Sequence, residues 1–221
     1  MKHYDAVIFD WDGTLMDSTG TITTSIQKAC EDLGLPVPDR QRASWVIGLS
    51  LESALYHVAP DLKAEDLPTF VERYKHHFFQ RDLEMPLFDG VPVLLNTLRE
   101  QRVKLAVATG KGRLGLDRVL ATSRLEGYFE VTRCADESHG KPHPGMLYDI
   151  MSTLQLDPEN VLMVGDTTHD VQMAHNAGVD SIAVSYGAHD VSTLKAATPT
   201  ALVHSVAEMY DWLSGRLPAS V

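Results

Sequence analysis

The feature that most constrains the fold of this chain is a set of short, continuous apolar runs rich in β-branched residues. Four of them occupy positions 6–9, 103–108, 161–164 and 181–184. Each run has the length of a strand, and helix-like patterns separate the later ones. Strands that are apolar on both faces are typical of a parallel sheet covered on both sides. The pattern therefore predicts an α/β fold with a doubly wound, mainly parallel sheet.

Two weaker strand candidates and a final helix complete this prediction. The runs at 128–133 and 200–203 are shorter or less apolar, and we expect the second at an edge of the sheet. A helical pattern near 207–213 follows it.

One long stretch, from about Asp17 to Leu83, interrupts the alternation, because its pattern is helical and contains no convincing strand. The periodicity predicts a first helix capped by Ser18 or Thr19 and ended by Gly34. Further helices are predicted over 44–47, 51–58 and 67–79. Prolines between these segments separate the helices from one another.

The position of this helical stretch predicts the domain organisation. We expect an α/β catalytic core formed by residues 1–16 and 85–221, with residues 17–84 inserted as a helical cap domain. The two hinges of the cap are predicted near 15–18 and 84–89, where the pattern changes from core to insertion.

Composition excludes several classes of function. With 19 basic and 30 acidic residues the net charge is −11, which argues against general nucleic-acid binding. Cys30 and Cys134 form no CxxC pattern, so a zinc finger or disulfide framework is not expected. No run reaches the roughly 18 apolar residues of a membrane helix. We therefore expect a cytoplasmic protein, monomeric or weakly dimeric, with no membrane or nucleic-acid partner.

Polar, reactive residues follow three of the strand candidates. These motifs are DWDGT at 10–14, TGK at 109–111 and GDTTHD at 165–170. A fourth motif, GKPHP at 140–144, leads into a predicted helix. Ligands of open α/β sheets bind outside the carboxyl ends of the strands. All four motifs are thus predicted to meet at one edge of the sheet.

The acids in these motifs predict a metal site. Four carboxylates would gather there, those of Asp10, Asp12, Asp166 and Asp170. Carboxylates crowded together repel one another unless a cation compensates them, and Mg²⁺ prefers oxygen ligands together with substrate phosphate. The loop amides, the hydroxyl of Thr109 and the ammonium of Lys141 are suitable donors to phosphate oxygens. The combination is typical of a phosphoryl-transfer site that acts on a small phosphorylated metabolite.

Together the motifs resemble those of the haloacid dehalogenase superfamily. DWDGTL, the threonine after the second strand, the lysine of GKPHP and the acids of GDTTHD follow that family's order and spacing. The helical insertion resembles the cap of the branch that contains phosphoglycolate phosphatases. The resemblance covers essentially the whole chain and implies a Rossmann-like core with an inserted cap.

The resemblance also implies roles for the matching residues. Asp10 resembles the nucleophile that forms an aspartyl-phosphate, and Asp12 the general acid and base. Lys141 resembles the lysine that holds nucleophile and phosphate. The implied phosphate-binding residues are Gly13, Thr14, Thr109 and Gly110. The implied ligands of Mg²⁺ are Asp10, Asp166, the main-chain carbonyl of Asp12, and Asp170 directly or through water.

Substrate choice remains open at this stage. Gly48 lies in the segment that carries selectivity in this branch, and phosphoglycolate is the leading substrate by resemblance. Sugar phosphates, nucleoside monophosphates and pyrophosphate are alternatives. A sugar phosphomutase is disfavoured because Leu51 stands where such enzymes usually carry an arginine. Metal-independent dehalogenation and a catalytically silent interaction module are disfavoured by the retained acids and lysine.

Several aromatic residues lie within or beside these motifs or strands in the sequence. His139 and His143 flank Lys141 and are candidates for contacts with substrate. His169 is expected to pair with an aspartate or with solvent. Tyr186 follows a strand at the edge of the site and is a candidate pocket residue. The side chain of Trp11 is expected to pack in the core.

Overall fold

The structure is a computed structural model that describes residues 2–81 and 85–217. The predicted domain boundary at residue 84 lies outside the described residues. Within them, six strands form one all-parallel sheet in the order β3-β2-β1-β4-β5-β6. The strands are β1 (Ala6–Phe9), β2 (Lys104–Thr109), β3 (Val131–Cys134), β4 (Val161–Gly165), β5 (Asp180–Val184) and β6 (Ala201–Val203). The predicted doubly wound α/β fold is confirmed.

Ten α-helices accompany the sheet in the described part of the chain. They are α1 (Thr19–Asp32), α2 (Arg40–Trp45), α3 (Leu51–Val58), α4 (Leu67–Phe79), α5 (Val91–Glu100), α6 (Arg113–Ser123), α7 (Gly145–Leu154), α8 (Thr168–Ala177), α9 (Val191–Ala196) and α10 (Val206–Ser214). Within these residues, no helix is both long and apolar enough to cross a membrane.

Both faces of the sheet are covered, which explains the continuous apolar runs. Successive residues of β1 point to opposite sides. Val7 and Phe9 belong to the larger core, and Ala6 and Ile8 belong to the smaller one. The larger core includes apolar residues of α5 and α10, and the smaller one those of α7 and α8. Every residue of β1 is fully buried as a result.

The strand predictions differ from the structure mainly at one place. The candidate at 128–133 begins too early, because β3 starts at Val131. Tyr128 still belongs to a turn, in which its N–H donates to the carbonyl of Leu125 at 3.1 Å. Hydrogen bonding with the neighbouring strand starts at Glu130, whose N–H donates to Leu105 at 2.8 Å. As expected, β6 lies at an edge of the sheet.

Between β1 and α5 the described residues are helical, as predicted, with α3 and α4 at the predicted positions. The predicted helix at 44–47 is wrong, because α2 starts at Arg40 and ends at Trp45. Its N-cap is Asp39, whose carboxylate accepts the N–H of Arg42 at 2.8 Å. Ser18 does precede α1, but its hydroxyl forms no cap with the helix and donates to Asp12 instead.

The chain enters and leaves this helical segment through two adjacent stretches. Met16 bridges antiparallel to Leu87. On either side, the N–H of Asp17 donates to Pro86 at 2.9 Å and that of Phe88 to Leu15 at 3.0 Å. The helical segment is therefore joined to the sheet by a pair of hydrogen-bonded linkers. This pairing keeps both connections close to DWDGT.

Candidate active site

The candidate active site lies at the carboxyl ends of the three central strands. Asp10 directly follows β1, Thr109 is the last residue of β2, and Asp166 directly follows β4. Because β1 pairs with both β2 and β4 in parallel, these strand ends are neighbours. The N–H of Asp10 also donates to the carbonyl of Val164 at 2.8 Å, which extends the pairing to the first acid.

Three of the four predicted carboxylates form a buried cluster with one lysine. Asp10, Asp166 and Asp170 each offer an oxygen atom, and these atoms lie within 4.8 Å of one another. All three residues are at most 1% exposed. The ammonium of Lys141, at the start of the GKPHP turn, lies 2.8 Å from Asp10 and 2.6 Å from Asp170. The side chain of Asp12 does not belong to this cluster.

Asp12 instead pairs with a residue that the sequence analysis did not single out. Nζ of Lys111 donates to both carboxylate oxygens of Asp12, at 2.9 and 2.8 Å. The hydroxyl of Ser18 donates to the same carboxylate at 2.7 Å. Lys111 was visible as the lysine of TGK, but a lysine after a strand carries no local signal of its partner. Only the parallel pairing of β1 with β2 brings the two motifs together.

Hydrogen bonds orient the other two acids of the cluster. Asp166 accepts from the hydroxyl of Thr14 at 3.1 Å and from the N–H of Ala188 at 2.6 Å. Asp170 accepts from the N–H and the hydroxyl of Thr167, at 3.1 and 2.7 Å, and thereby forms the capping box of α8. Both oxygens of Asp166 and one oxygen of Asp170 therefore accept hydrogen bonds from these groups.

The charges of the cluster are unbalanced. Burial raises the pKa of Asp10 to about 7, although Lys141 opposes the shift. Burial and the charge of Asp10 also raise the pKa of Asp166. Burial alone would lower the pKa of Lys141, but its two carboxylate partners more than offset this, and its pKa is raised. One buried ammonium thus faces three buried carboxylates.

These residues fit a hard divalent cation. Oδ2 of Asp10 is buried and accepts no hydrogen bond from the described residues. A buried oxygen without a donor is costly unless something else binds it. Oxygen atoms from three carboxylates are the donor set that Mg²⁺ prefers, and a cation would remove their mutual repulsion. The cluster therefore has the chemistry of a metal site.

Glycines allow the loops to approach one another around the cluster. Gly13 has φ +78°, and a Cβ there would collide with the carboxylate of Asp166. A Cβ on Gly110 would collide with backbone carbonyls of the helical segment, 2.6 Å from that of Gly48. Gly48 has φ +91°, and a Cβ there would lie 3.9 Å from Oδ2 of Asp10. The predicted site residues Gly13, Gly48 and Gly110 are thus close to the cluster or its loops.

Trp45 of α2 also contacts the sheet side of the molecule. Its carbonyl lies 2.9 Å from Nε2 of His169 and 3.0 Å from Nε2 of His189. Since Nδ1 of His189 accepts the N–H of Thr168, its Nε2 carries the proton that Trp45 accepts. The expectation that His169 pairs with an aspartate or with solvent is therefore wrong. Burial lowers the pKa of both histidines, which favours the neutral rings.

The remaining aromatic candidates make other contacts. His139 and His143 stack on each other with ring centroids 4.3 Å apart, and His143 also accepts the N–H of Gly145. The hydroxyl of Tyr186 donates to the carbonyl of Thr14 at 3.1 Å, which supports the DWDGT loop. Trp11 is fully buried and packs edge-on against Phe129, as expected of a core residue.

Comparison with known proteins identifies the family. Residues 7–184 match the family model described as haloacid dehalogenase-like hydrolase. The chain belongs to this family.

Individual members of the family cover nearly the whole chain. The chain is 38% identical over 208 residues to the probable phosphatase IndB of Dickeya dadantii, covering 92% of this chain and 90% of that protein. It is 33% identical over 221 residues to the phosphoglycolate phosphatase of Chromobacterium violaceum, covering 96% and 97%. The crystal structure of a predicted phosphatase from Clostridium acetobutylicum superposes with a TM-score of 0.85 at 26% identity, covering 97% and 100%.

The resemblance drawn from the four motifs is therefore confirmed. The protein is a hydrolase of the haloacid dehalogenase-like family and belongs to its phosphatases.

Proposed function

We propose that this protein is a Mg²⁺-dependent phosphatase that hydrolyses a small phosphate monoester through an aspartyl-phosphate on Asp10. The observation that carries the proposal is the state of Asp10 in the structure. One carboxylate oxygen is held by Lys141 at 2.8 Å, while the other is buried without a hydrogen-bond donor among the described residues. A carboxylate held in this way is oriented for attack on an electrophile.

The residues proposed to bind Mg²⁺ are the clustered acids Asp10, Asp166 and Asp170, together with the main-chain carbonyl of Asp12. A bound ion would offset the excess negative charge and polarise a phosphate oxygen. Thr109, Gly110, Gly13 and Thr14 are proposed to bind the remaining phosphate oxygens through hydroxyl and amide groups. Lys141 holds the nucleophile in place and faces the incoming phosphate.

Two in-line displacements then account for the reaction. In the first, a carboxylate oxygen of Asp10 bonds to phosphorus as the ester oxygen leaves, and Asp12 gives that oxygen its proton. In the second, Asp12 takes a proton from water, the hydroxide oxygen bonds to phosphorus, and the bond to Asp10 breaks. Inorganic phosphate and the free alcohol are released, and both aspartates return to their starting states.

The helical segment is proposed to act as the cap. It places Gly48 and the aromatic residues of α4 beside the catalytic motifs, where they exclude water from the reacting atoms. Phosphoglycolate is the leading substrate, supported by the relative from Chromobacterium violaceum. Pyrophosphate, nucleoside monophosphates and sugar phosphates are the alternatives. A cytoplasmic location and a monomer or weak homodimer stay predictions.

The test is phosphate release from a panel of small monoesters with and without Mg²⁺, using wild type and Asp10→Asn. Asparagine preserves volume but is a poor nucleophile, so turnover should fall by at least about a thousandfold. Asp17→Asn is the matched control, because Asp17 is exposed and lies outside the cluster. Both variants should remain folded.

Wild-type turnover in Asp10→Asn, or phosphate release that is indifferent to chelation of Mg²⁺, would contradict the proposal. A sugar phosphate that is isomerised without release of free phosphate would instead identify a phosphomutase. The panel therefore separates the proposed hydrolase from its nearest alternative by the product.

A further inference from the structure

Lys111 occupies the side of the site where the leaving group of a substrate would lie. Its Nζ donates to both oxygens of Asp12, the residue proposed to protonate the ester oxygen. The side chains of Lys111 and Asp12 are each only 10% exposed. Any substituent on the ester oxygen must therefore pass close to this ammonium.

Aromatic residues of α4 cover this ion pair. Nζ of Lys111 lies 4.9 Å from the ring centroid of Phe78, a cation–π distance. Tyr74, one turn earlier, stacks on Phe78 with centroids 5.8 Å apart. Burial raises the pKa of Tyr74, and the negative charge of Asp12 raises it further. Phe78 and Tyr74 of the helical segment thus form an apolar roof, a layer of aromatic rings that covers Lys111.

The hydrogen bonds that Asp12 accepts conflict with its proposed role as the acid that protonates the ester oxygen. One carboxylate oxygen accepts from both Lys111 and Ser18, and the other accepts from Lys111. To protonate an ester oxygen, Asp12 must present a proton on one of these oxygens, both of which accept from the ammonium, so the ammonium has to move when substrate enters. Beneath an apolar roof, a cation that leaves its partner needs another anion, because a buried unpaired charge is costly.

We propose that Lys111 is a specificity-determining residue that selects monoesters whose alcohol carries a second anionic group. On binding, the ammonium exchanges Asp12 for that carboxylate or phosphate, and Asp12 becomes available to the ester oxygen. This inference rests on the proposed phosphatase function and extends it to the chemistry of the leaving group. Neutral alcohols offer Lys111 no new partner and leave it on Asp12.

The experiment compares three substrates in the Mg²⁺-loaded protein: 2-phosphoglycolate, its neutral amide, and the bisphosphate of ethylene glycol. Wild type should hydrolyse at least one of the two esters that carry a second anionic group with a kcat/KM roughly ten- to a hundredfold above that of the amide, the range of a charge-assisted hydrogen bond. The faster of the two identifies the anion as carboxylate or phosphate. Lys111→Met should remove this preference, mainly through KM.

Lys195→Met is the matched control, because Lys195 is exposed on α9, and it should keep the wild-type preference. Lys111→Met should hydrolyse the neutral amide faster than wild type does, since Asp12 then has no ammonium to displace. Two results would overturn the inference: wild type that does not distinguish the amide from either anionic ester, or Lys111→Met that keeps the wild-type ratio. Absence of phosphate release by wild type from every monoester would instead refute the proposed function itself.

Discussion

At the scale of single residues, the site depends on close contacts of two kinds. Some are possible because a glycine has no side chain, and others because a donor or cation meets a carboxylate. Gly110 lets the TGK loop contact the backbone at Gly48 and Leu49. Lys141 bridges two carboxylates that would otherwise repel. Lys111 and Ser18 together engage Asp12. Apart from the bond between Ser18 and Asp12, each contact joins segments that lie far apart in the sequence.

Gly110→Ala tests the closest of these contacts. Its Cβ would meet backbone carbonyl oxygens of the helical segment, which cannot swing aside as the end of a side chain can. The segment should therefore move away from the TGK loop, and kcat/KM for the best monoester should fall by about tenfold or more.

Gly115→Ala is the control for this substitution. Gly115 lies within α6, and a Cβ there would meet no heavy atom within 4 Å. Alanine has a higher helix propensity than glycine, so this variant should be at least as stable as wild type and leave kcat/KM unchanged. If both variants retained wild-type kcat/KM, contact between these loops would not be needed for activity.

At the scale of elements, the short helix α2 connects the helical segment to the sheet side of the site. The ring of Trp45 stacks on His57 of α3 at 4.6 Å and meets His169 of α8 edge-on at 4.7 Å. Ser44 adds a hydrogen bond from its hydroxyl to the carbonyl of Ala188 at 2.9 Å. His169 precedes Asp170 directly, so α2 packs against the helix that supplies a clustered acid.

Trp45→Ala should weaken this docking. The variant loses the ring contacts with His169 and His189, worth about 0.5–1.5 kcal/mol each, so kcat/KM should fall by about fivefold or more. The same steady-state assay used for the monoester panel measures the effect, and circular dichroism checks that the helices remain.

Tyr56→Ala provides the comparison, since Tyr56 lies on α3 and is 37% exposed, as Trp45 is. This change should leave kcat/KM close to wild type. Equal losses in the two variants would mean that aromatic surface on the helical segment matters in general, and that the contact of Trp45 with α8 is not special.

At the scale of the whole molecule, negative charge is in excess both over the chain as a whole and within the active-site cluster. The net charge is −11, and three buried carboxylates share one buried ammonium. Folding must therefore bring like charges together in a buried site. The free energy of unfolding should depend on pH and on divalent cations as a consequence.

The sign of the pH dependence follows from Asp10. Burial raises its pKa from 3.8 to about 7, so between about pH 4 and pH 7 the folded protein holds a proton that the unfolded chain has released. Without metal, this residue should make the free energy of unfolding fall as pH rises through that window. Asp10→Asn lacks this ionisation. Its free energy of unfolding should therefore increase relative to that of wild type by on the order of 1–3 kcal/mol between pH 5 and pH 8.

Urea unfolding of wild type and Asp10→Asn in EDTA, at pH 5 and pH 8, measures this difference. Mg²⁺ should stabilise wild type more at pH 8 than at pH 5, because protons compete with it for the carboxylates. A difference between the two proteins that does not change with pH would show that Asp10 titrates normally in the folded state.

Local patterns were sufficient for much of the fold. The strands β1, β4 and β5 are buried on both faces, and continuous apolar residues in the sequence predict this burial. The lengths of α3 and α4 follow from periodicity that local hydrogen bonding and one buried face impose. The strand at 128–133 and the helix at 44–47 were less accurate, because a turn at Tyr128 and a cap at Asp39 decide those boundaries.

The sequence by itself determined the family, the parallel sheet and the motif residues placed around one sheet edge, since the order of elements along the chain and the spacing of the motifs can be read directly from it. Tertiary structure alone decided which charges meet: Lys141 with Asp10 and Asp170, and Lys111 with Asp12. It also decided that Trp45 binds His169 and His189. Such pairings depend on how strands align and how the helical segment packs, and no single segment encodes the position of its distant partner.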